Sequence, residues 1–80
     1  MKIEILGTGC SKCKALEEAA KQAVAQSGLF AQIEKVEDIQ KIMDYGVIST
    51  PGLVIDGKVL STGKLLSINE IVEMIKAHSV

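Results

Sequence analysis

The sequence predicts an α/β protein with a four-stranded mixed sheet and helices on both faces. Stretches with the period-2 alternation of strands take turns with stretches of helical periodicity, in the order β-α-β-α-β-β-α. A helix separates the first two strands, so these strands should run parallel and be joined by a right-handed crossover. A two-residue Asp-Gly turn separates the last two strands, so these should form an antiparallel hairpin.

Length and composition narrow the choice of function. We expect the 80 residues to form one domain, 1–80, with an aliphatic core, because 48% of residues are hydrophobic but there is one Phe, one Tyr and no Trp. Nine basic residues nearly balance ten acidic ones, which gives no electrostatic argument for nucleic-acid binding. No apolar run approaches the roughly 18 residues of a membrane span. Met1-Lys2 leads straight into strand-like residues without a signal peptide, so we expect a cytoplasmic protein that binds no membrane.

The first half of the chain is predicted to form two strands and two helices. A strand at Lys2–Leu6 is followed by a helix over 14–27 and a second strand over 29–36. Asp38 then has the side chain of an N-cap for a short helix. The face of that helix expected to be apolar carries Ile39, Ile42 and Met43.

The second half is predicted to form a hairpin and a final helix. Strands over 53–55 and 58–61 flank Asp56-Gly57, a sequence typical of a type I′ turn. Ser67 and Glu70 then have the spacing of a capping box at the start of a helix. The inner stripe of that helix consists of Ile68, Ile71, Val72 and Ile75.

The candidate functional residues begin with Cys10 and Cys13, the only cysteines, which stand between the first strand and the first helix. Unpaired N–H groups and the helix dipole stabilise a thiolate at a helix N-terminus, so the pKa of a cysteine at the N-cap falls. With Cys10 as N-cap, Cys13 is the third helical residue, one turn away, and the two sulfurs can close into a disulfide. We therefore predict Cys10 as the exposed nucleophile and Cys13, turned inward by the helix, as the resolving thiol.

The neighbours of the two cysteines have predicted roles as well. Gly9 lets the backbone turn and leaves Cys10 open to a partner. Ser11 and Lys12 lie between the cysteines, where a partner would touch them, and the charge of Lys12 would favour the Cys10 thiolate.

These features together resemble the thioredoxin superfamily: a strand, then Cys10-Ser11-Lys12-Cys13 opening a helix, then Thr50-Pro51 directly before a hairpin. Within it, the chain resembles the small thioredoxin-like "redox-active disulfide protein" family of archaea and bacteria, in which Gly-Thr-Gly-Cys-x-x-Cys opens the helix and Pro-Gly precedes the hairpin. It departs from typical thioredoxins in lacking the Trp before the first Cys and the Gly-Pro between the cysteines.

The resemblance implies a thioredoxin-like fold and a thiol–disulfide oxidoreductase active in electron transport, with no bound cofactor. Pro51 would be cis and lie beside the disulfide, and the backbone of Thr50 would pair with the substrate chain like an added strand. Electrons would come from a separate, thioredoxin-reductase-like enzyme rather than from glutathione, because glutaredoxins are matched only in part. The superfamily also has a buried acid at the position of Glu4 that takes the proton of the resolving thiol. We nevertheless expect Glu4 to be solvated at its strand start, with the proton relay as the alternative.

Two functions other than disulfide exchange are also compatible with this sequence. Small copper carriers also place Cys-x-x-Cys between a first strand and a first helix, and two thiolates suffice for Cu(I). The two cysteines and His78 give three soft or borderline ligands. A closed zinc site needs four, so one chain cannot build it, and we predict no metal site. The copper-carrier fold ends in a strand, whereas this chain should end in a helix, which favours the redox function. The other function is that of a docking module whose cysteines are incidental.

Overall fold

Four strands form one mixed sheet in the computed structural model, which describes residues 1–9 and 11–79. The strands lie in the order β2-β1-β3-β4, and the element order β-α-β-α-β-β-α confirms the predicted fold class. In chain order the elements are β1 (Lys2–Leu6), α1 (Ser11–Ser27), β2 (Gln32–Val36), α2 (Ile39–Asp44), β3 (Gly52–Ile55), β4 (Lys58–Thr62) and α3 (Ile68–Ser79).

β1 occupies the inside of the sheet and determines where the other strands meet. It runs parallel to β2 and antiparallel to β3, and Leu6 pairs with Val36 on one side and with Gly52 on the other. The pairing continues one residue past β1, because the Gly7 N–H donates to the Val36 carbonyl at 2.9 Å. The end of β1, the end of β2 and the start of β3 therefore lie side by side.

The two faces of β1 belong to two separate parts of the core. Ile3 and Ile5 pack with α1 and α3, in a cluster that also contains Leu16, Ala20, Ala23, Leu53, Ile55, Leu66, Ile71 and Ile75. Leu6 faces the other way and packs with α2, in a cluster completed by Val36, Ile42, Val47 and Val54. Strand alternation thus sends odd-numbered and even-numbered residues of β1 to different helices.

The local signals at turns and helix starts are confirmed. Asp56 and Gly57 both have positive φ (49° and 83°), as a type I′ turn requires. In the capping box, the Glu70 N–H donates to Ser67 Oγ at 3.1 Å and the Ser67 N–H donates to Glu70 Oε1 at 3.0 Å. These hydrogen bonds from Ser67 lower the pKa of Glu70, with the backbone donor as the largest cause.

The predicted starts of α1 and β2 are wrong: α1 begins at Ser11 rather than at residue 14. β2 begins at Gln32 rather than at residue 29, because its neighbour β1 begins at Lys2 and the last partner available is the Met1 carbonyl, which accepts from the Gln32 N–H at 3.0 Å. The apolar residues of α2 share one face, as predicted, but that face is only partly buried. Ile42 is in the core, whereas Ile39 and Met43 are each 62% exposed, since a helix of six residues buries little more than one turn.

Among the described residues, none of the helices is long and apolar enough to cross a membrane.

A polar cluster holds together the end of the sheet at which β1 begins. Asp56, in the hairpin turn, accepts the Lys2 N–H on Oδ1 at 2.8 Å and lies 3.0 Å from His78 Nε2 through Oδ2. The N–H of Asp56 donates to the Lys2 carbonyl at 2.8 Å. The backbone hydrogen bond from Lys2 is the main reason that the pKa of Asp56 lies below its usual value, and His78 and the amino terminus lower it further.

This cluster predicts a pH-dependent contribution to stability. A carboxyl whose pKa is lower in the folded state stabilises the fold above its unfolded pKa, and the stabilisation disappears as the pH falls through the folded pKa. Asp56→Asn should therefore lower the Tm at pH 7, and the difference from wild type should close below the ordinary Asp pKa of ~3.9. Asn tolerates the positive φ of this turn, so the charge is the main change. A Tm difference that persists unchanged at low pH would contradict this explanation.

Candidate active site

The Cys-x-x-Cys segment lies at the junction of β1 and α1. A short loop, Gly7–Gly9, leaves the sheet, and α1 begins at Ser11. Gly9 has a φ of +88°, a conformation that glycine adopts without strain and side chains rarely do. Cys10 lies outside the described residues, and so do the predictions placed on it: its N-cap position, its exposure and its disulfide with Cys13.

Cys13 is buried against the end of β1. It is the third residue of α1, as predicted, and only 5% exposed. It shares the buried face of α1 with Leu16, Ala20 and Ala23, which turns it toward the sheet. Its side chain lies against the Gly7 backbone: a Cβ built on Gly7 would overlap Cys13 Sγ and lie 3.0 Å from Cys13 Cβ. The helix therefore turns Cys13 inward, as the sequence predicts for a resolving thiol.

The Thr50-Pro51 segment reaches the same point. The Cβ of Thr50 lies 3.9 Å from the position that a Cβ on Gly7 would take, so Thr50 and Cys13 both lie within 4 Å of that position. The Thr50-Pro51 peptide bond is cis. Pro51 is fully buried, and its carbonyl accepts the Gly63 N–H at 2.8 Å. Thr50 itself is exposed, so it faces outward beside the cysteine segment.

The other residues predicted to contact a substrate lie on the surface around this point. Ser11 and Lys12 are exposed in the first turn of α1. A carboxylate lies close by as well: Glu37 Oε2 is 3.6 Å from the position that a Cβ would take on Gly9. An acidic side chain thus lies near the cysteine segment in addition to the exposed Lys12 and Lys14, a feature of the fold that the sequence order alone does not indicate.

The expectation that Glu4 is solvated is wrong. Glu4 is only 9% exposed, because β1 has a strand on each side and helices cover both faces of the sheet. Its Oε1 accepts a 2.7 Å hydrogen bond from the hydroxyl of Tyr45, a half-buried residue just after α2. This hydrogen bond is the main reason that the pKa of Tyr45 is raised, with burial and the charges of Glu4 and Glu34 adding to it. Tyr45 therefore remains protonated and able to donate at neutral pH.

Glu4 and Cys13 are not brought together directly. Glu4 alternates along β1 with Ile3 and Ile5, which face α1, so its carboxylate lies on the α2 side, where Tyr45 also packs. Cys13 belongs to α1 and approaches the sheet from the opposite side.

An apolar groove of about 340 Å³ opens beside the site, and the sequence did not reveal it. Its exposed apolar side chains are Ile39, Met43 and Ile48, and Ile48 is 98% exposed. The groove is lined by Thr8, Ile39, Ile42, Met43, Val47, Ile48 and Thr50. One sequence signal was available: Ile48 is a large apolar residue in a connector, where neither a helix nor a strand would bury it.

Within residues 1–9 and 11–79, no group of three or more His, Cys, Asp or Glu side chains is arranged to hold a metal ion. His78, the third soft or borderline ligand in the sequence, lies with Asp56 at the end of the sheet where β1 begins.

The sequence of this chain is similar to those of known proteins. A family model described as "Thioredoxin domain" matches residues 1–76. A protein named Thioredoxin from Methanothermobacter thermautotrophicus is 46% identical over 39 residues, which cover 49% of this chain and 51% of that protein. A protein named Thioredoxin from Methanocaldococcus jannaschii is 49% identical over 37 residues, which cover 46% of this chain and 43% of that protein. The chain thus spans about half the length of these relatives.

Proposed function

We propose that this chain, which belongs to the thioredoxin-domain family, is a thiol–disulfide oxidoreductase. It would reduce or exchange disulfides of partner proteins. One observation carries the proposal: Cys13, the Thr50-Pro51 segment and the loop that leads to Cys10 converge at the end of β1. A redox dithiol needs one sulfur at the surface and one behind it, next to a surface that can hold a polypeptide. Buried Cys13 and exposed Thr50 supply the second and third of these requirements.

The reaction consists of two exchanges between a thiolate and a disulfide. The Cys10 thiolate attacks one sulfur of the partner disulfide, a bond forms between those two sulfurs, and the other partner sulfur leaves as a thiolate that takes up a proton. Cys13 then gives up its proton and attacks the Cys10 sulfur. The Cys10–Cys13 disulfide forms, the second partner thiolate leaves, and two electrons have passed to the partner. A separate, thioredoxin-reductase-like enzyme returns two electrons to the disulfide.

The substrate chain is proposed to bind along Thr50. In the part of the chain that the structure describes, no backbone hydrogen bond of a turn or loop uses the N–H or C=O of Thr50. These groups can therefore pair with an extended segment of the partner, as strand addition requires. Gly9, Ser11 and Lys12 would contact the same segment from the cysteine side, and buried Pro51 fixes the position of Thr50.

The apolar groove next to Thr50 is proposed to hold an apolar side chain of the partner protein. Thr8 and Thr50 line both the groove and the site, so a chain bound at Thr50 passes directly over Ile48 and Met43. Burying one large apolar side chain contributes about 1.5–3 kcal/mol, enough to prefer protein disulfides over small ones.

Glu4 is proposed as the group that receives the proton of Cys13. It is a buried carboxylate in the strand that leads to Gly7, and Tyr45 holds one of its oxygens. Because Glu4 faces α2 whereas Cys13 approaches the sheet from the α1 side, the transfer would be indirect, through water between the two groups.

The roles of the two cysteines predict opposite results for their serine variants. Cys10→Ser should abolish reduction of insulin disulfides and form no covalent complex with partners, because the attacking sulfur is gone. Cys13→Ser should still attack but be unable to resolve, so mixed disulfides on Cys10 should accumulate and be visible by non-reducing electrophoresis and mass spectrometry of cell extracts. If Cys10→Ser is the variant that traps partners, the assignment is reversed. If neither variant alters disulfide reduction, the proposed function is wrong.

The groove predicts a selective loss of activity toward proteins. Ile48→Ser should raise the KM for a protein disulfide about tenfold, consistent with the loss of one buried apolar contact, and leave the rate with a small aromatic disulfide unchanged. Phe30→Ser is a matched control, because Phe30 is 92% exposed and precedes β2, at the end of the sheet away from the site. Equal effects of the two variants, or an equal loss with the small disulfide, would contradict a role for the groove.

The proton relay predicts a slower second exchange. Glu4→Gln should decrease the rate at which the mixed disulfide resolves by about a hundredfold, the lower end of the contribution of positioned acid–base groups. Formation of the mixed disulfide should keep its rate, since Cys10 needs no proton acceptor in its thiolate form. Glu34→Gln, on neighbouring β2, removes the same charge from an exposed position and should leave both rates unchanged. A resolving rate in Glu4→Gln equal to wild type would remove Glu4 from the mechanism.

A further inference from the structure

We propose that Gly7 is a positioning residue for Cys13, because the space that a side chain on Gly7 would fill is the space that the Cys13 sulfur occupies. The consequence for disulfide exchange rests on the proposed function, whereas the steric coupling between the two residues does not. Gly7 lies outside the Cys-x-x-Cys sequence, and nothing in the sequence distinguishes it from the other glycine of the loop, Gly9.

The glycine is required by its neighbour rather than by its own backbone. Gly7 is absent from the glycines of positive φ in the described chain, which include Gly9 at +88°, so its backbone conformation would accept an ordinary residue. A Cβ built there would nevertheless overlap Cys13 Sγ and come within 3.0 Å of Cys13 Cβ. At Gly9 the situation is reversed: the conformation is left-handed, and the nearest atom to a Cβ is Glu37 Oε2 at 3.6 Å. The two glycines of the loop thus serve different purposes.

The backbone around Gly7 has little freedom to avoid the overlap. The Gly7 N–H donates to the Val36 carbonyl at 2.9 Å, and the preceding Leu6 is fully buried between Val36 and Gly52. On the helix side, Leu16 lies one turn after Cys13 and is also fully buried, which holds α1 in place. A methyl group on Gly7 would therefore displace the side chain of Cys13, and a helical residue has few alternative rotamers.

Displacement of the Cys13 sulfur would affect the second exchange directly. In that step the Cys13 thiolate must approach the Cys10 sulfur in line with the bond to the partner sulfur that breaks. A misplacement of about 1 Å in such a reaction costs on the order of a hundredfold in rate. Gly7 thus determines how well Cys13 resolves the mixed disulfide and how stable the Cys10–Cys13 disulfide is.

The first test measures the dithiol–disulfide equilibrium of Gly7→Ala in glutathione buffers. Because a displaced sulfur strains the disulfide, we expect the equilibrium constant for closing the Cys10–Cys13 disulfide to fall by about tenfold to a hundredfold. The alkylation rate of Cys13 should also change in the folded dithiol protein. Ile5→Val is the matched control: it removes a methyl group from the core in the same strand and should leave both quantities unchanged. A folded Gly7→Ala protein with the equilibrium constant and the Cys13 alkylation rate of wild type would overturn the proposal.

The second test is a double-mutant cycle in which the free energy of unfolding is measured. It remains informative even if Gly7→Ala fails to fold. The Cys13→Ala background lacks the sulfur. The factor by which Gly7→Ala raises the unfolding equilibrium constant should therefore be about tenfold smaller, or smaller still, in this background than in the wild-type background. Equal effects in both backgrounds would overturn the proposal, as would failure of the double variant to fold where Cys13→Ala alone does. If wild type fails to reduce protein disulfides, the proposed function is wrong, whereas the cycle still decides the coupling of Gly7 to Cys13.

Discussion

The close approach of α1 to the end of β1 is the contact on which the site depends. It is possible because Gly7 presents no side chain to Cys13 and because the Gly7 N–H is held by the Val36 carbonyl. The pairing of Leu6 with Gly52 places the Thr50-Pro51 segment at the same point. Segments that are far apart in the chain thereby meet within a few ångströms, and a loop, a helix turn and a connector become one surface.

Because β1 lies inside the sheet, its two faces pack against different helices. Its odd-numbered residues pack against α1 and α3 and anchor the helix that carries Cys13, whereas its even-numbered residues face α2. Glu4 is buried by the same arrangement, and its hydrogen bond to Tyr45 satisfies a carboxylate that would otherwise be costly to bury. The polar cluster of Asp56, Lys2 and His78 holds the opposite end of β1, away from the groove and the cysteine segment.

The parts of the structure set by local interactions could be predicted from the sequence. The element order, the turn at Asp56-Gly57 and the capping box of α3 each depend on residues a few positions apart. The inward turn of Cys13 also follows from helix geometry alone. The burial of Glu4 and the start of β2 depend instead on which strands flank β1, and the exposure of Ile39 and Met43 depends on how little of α2 the sheet covers. The contact of Gly7 with Cys13 could not be predicted, because a glycine required by a neighbouring sulfur and one required by its own φ look the same in a sequence.

The proposed function requires Cys10 and Cys13 to form a reversible redox pair, which a redox titration of the wild-type protein can measure. The protein would be equilibrated with glutathione or dithiothreitol buffers, trapped by alkylation and analysed by mass spectrometry. We expect a two-electron transition between dithiol and intramolecular disulfide in the more reducing half of the range of ~−270 to ~−120 mV that dithiol proteins span. A pair that never oxidises in air, or that oxidises only between molecules, would contradict the proposed function.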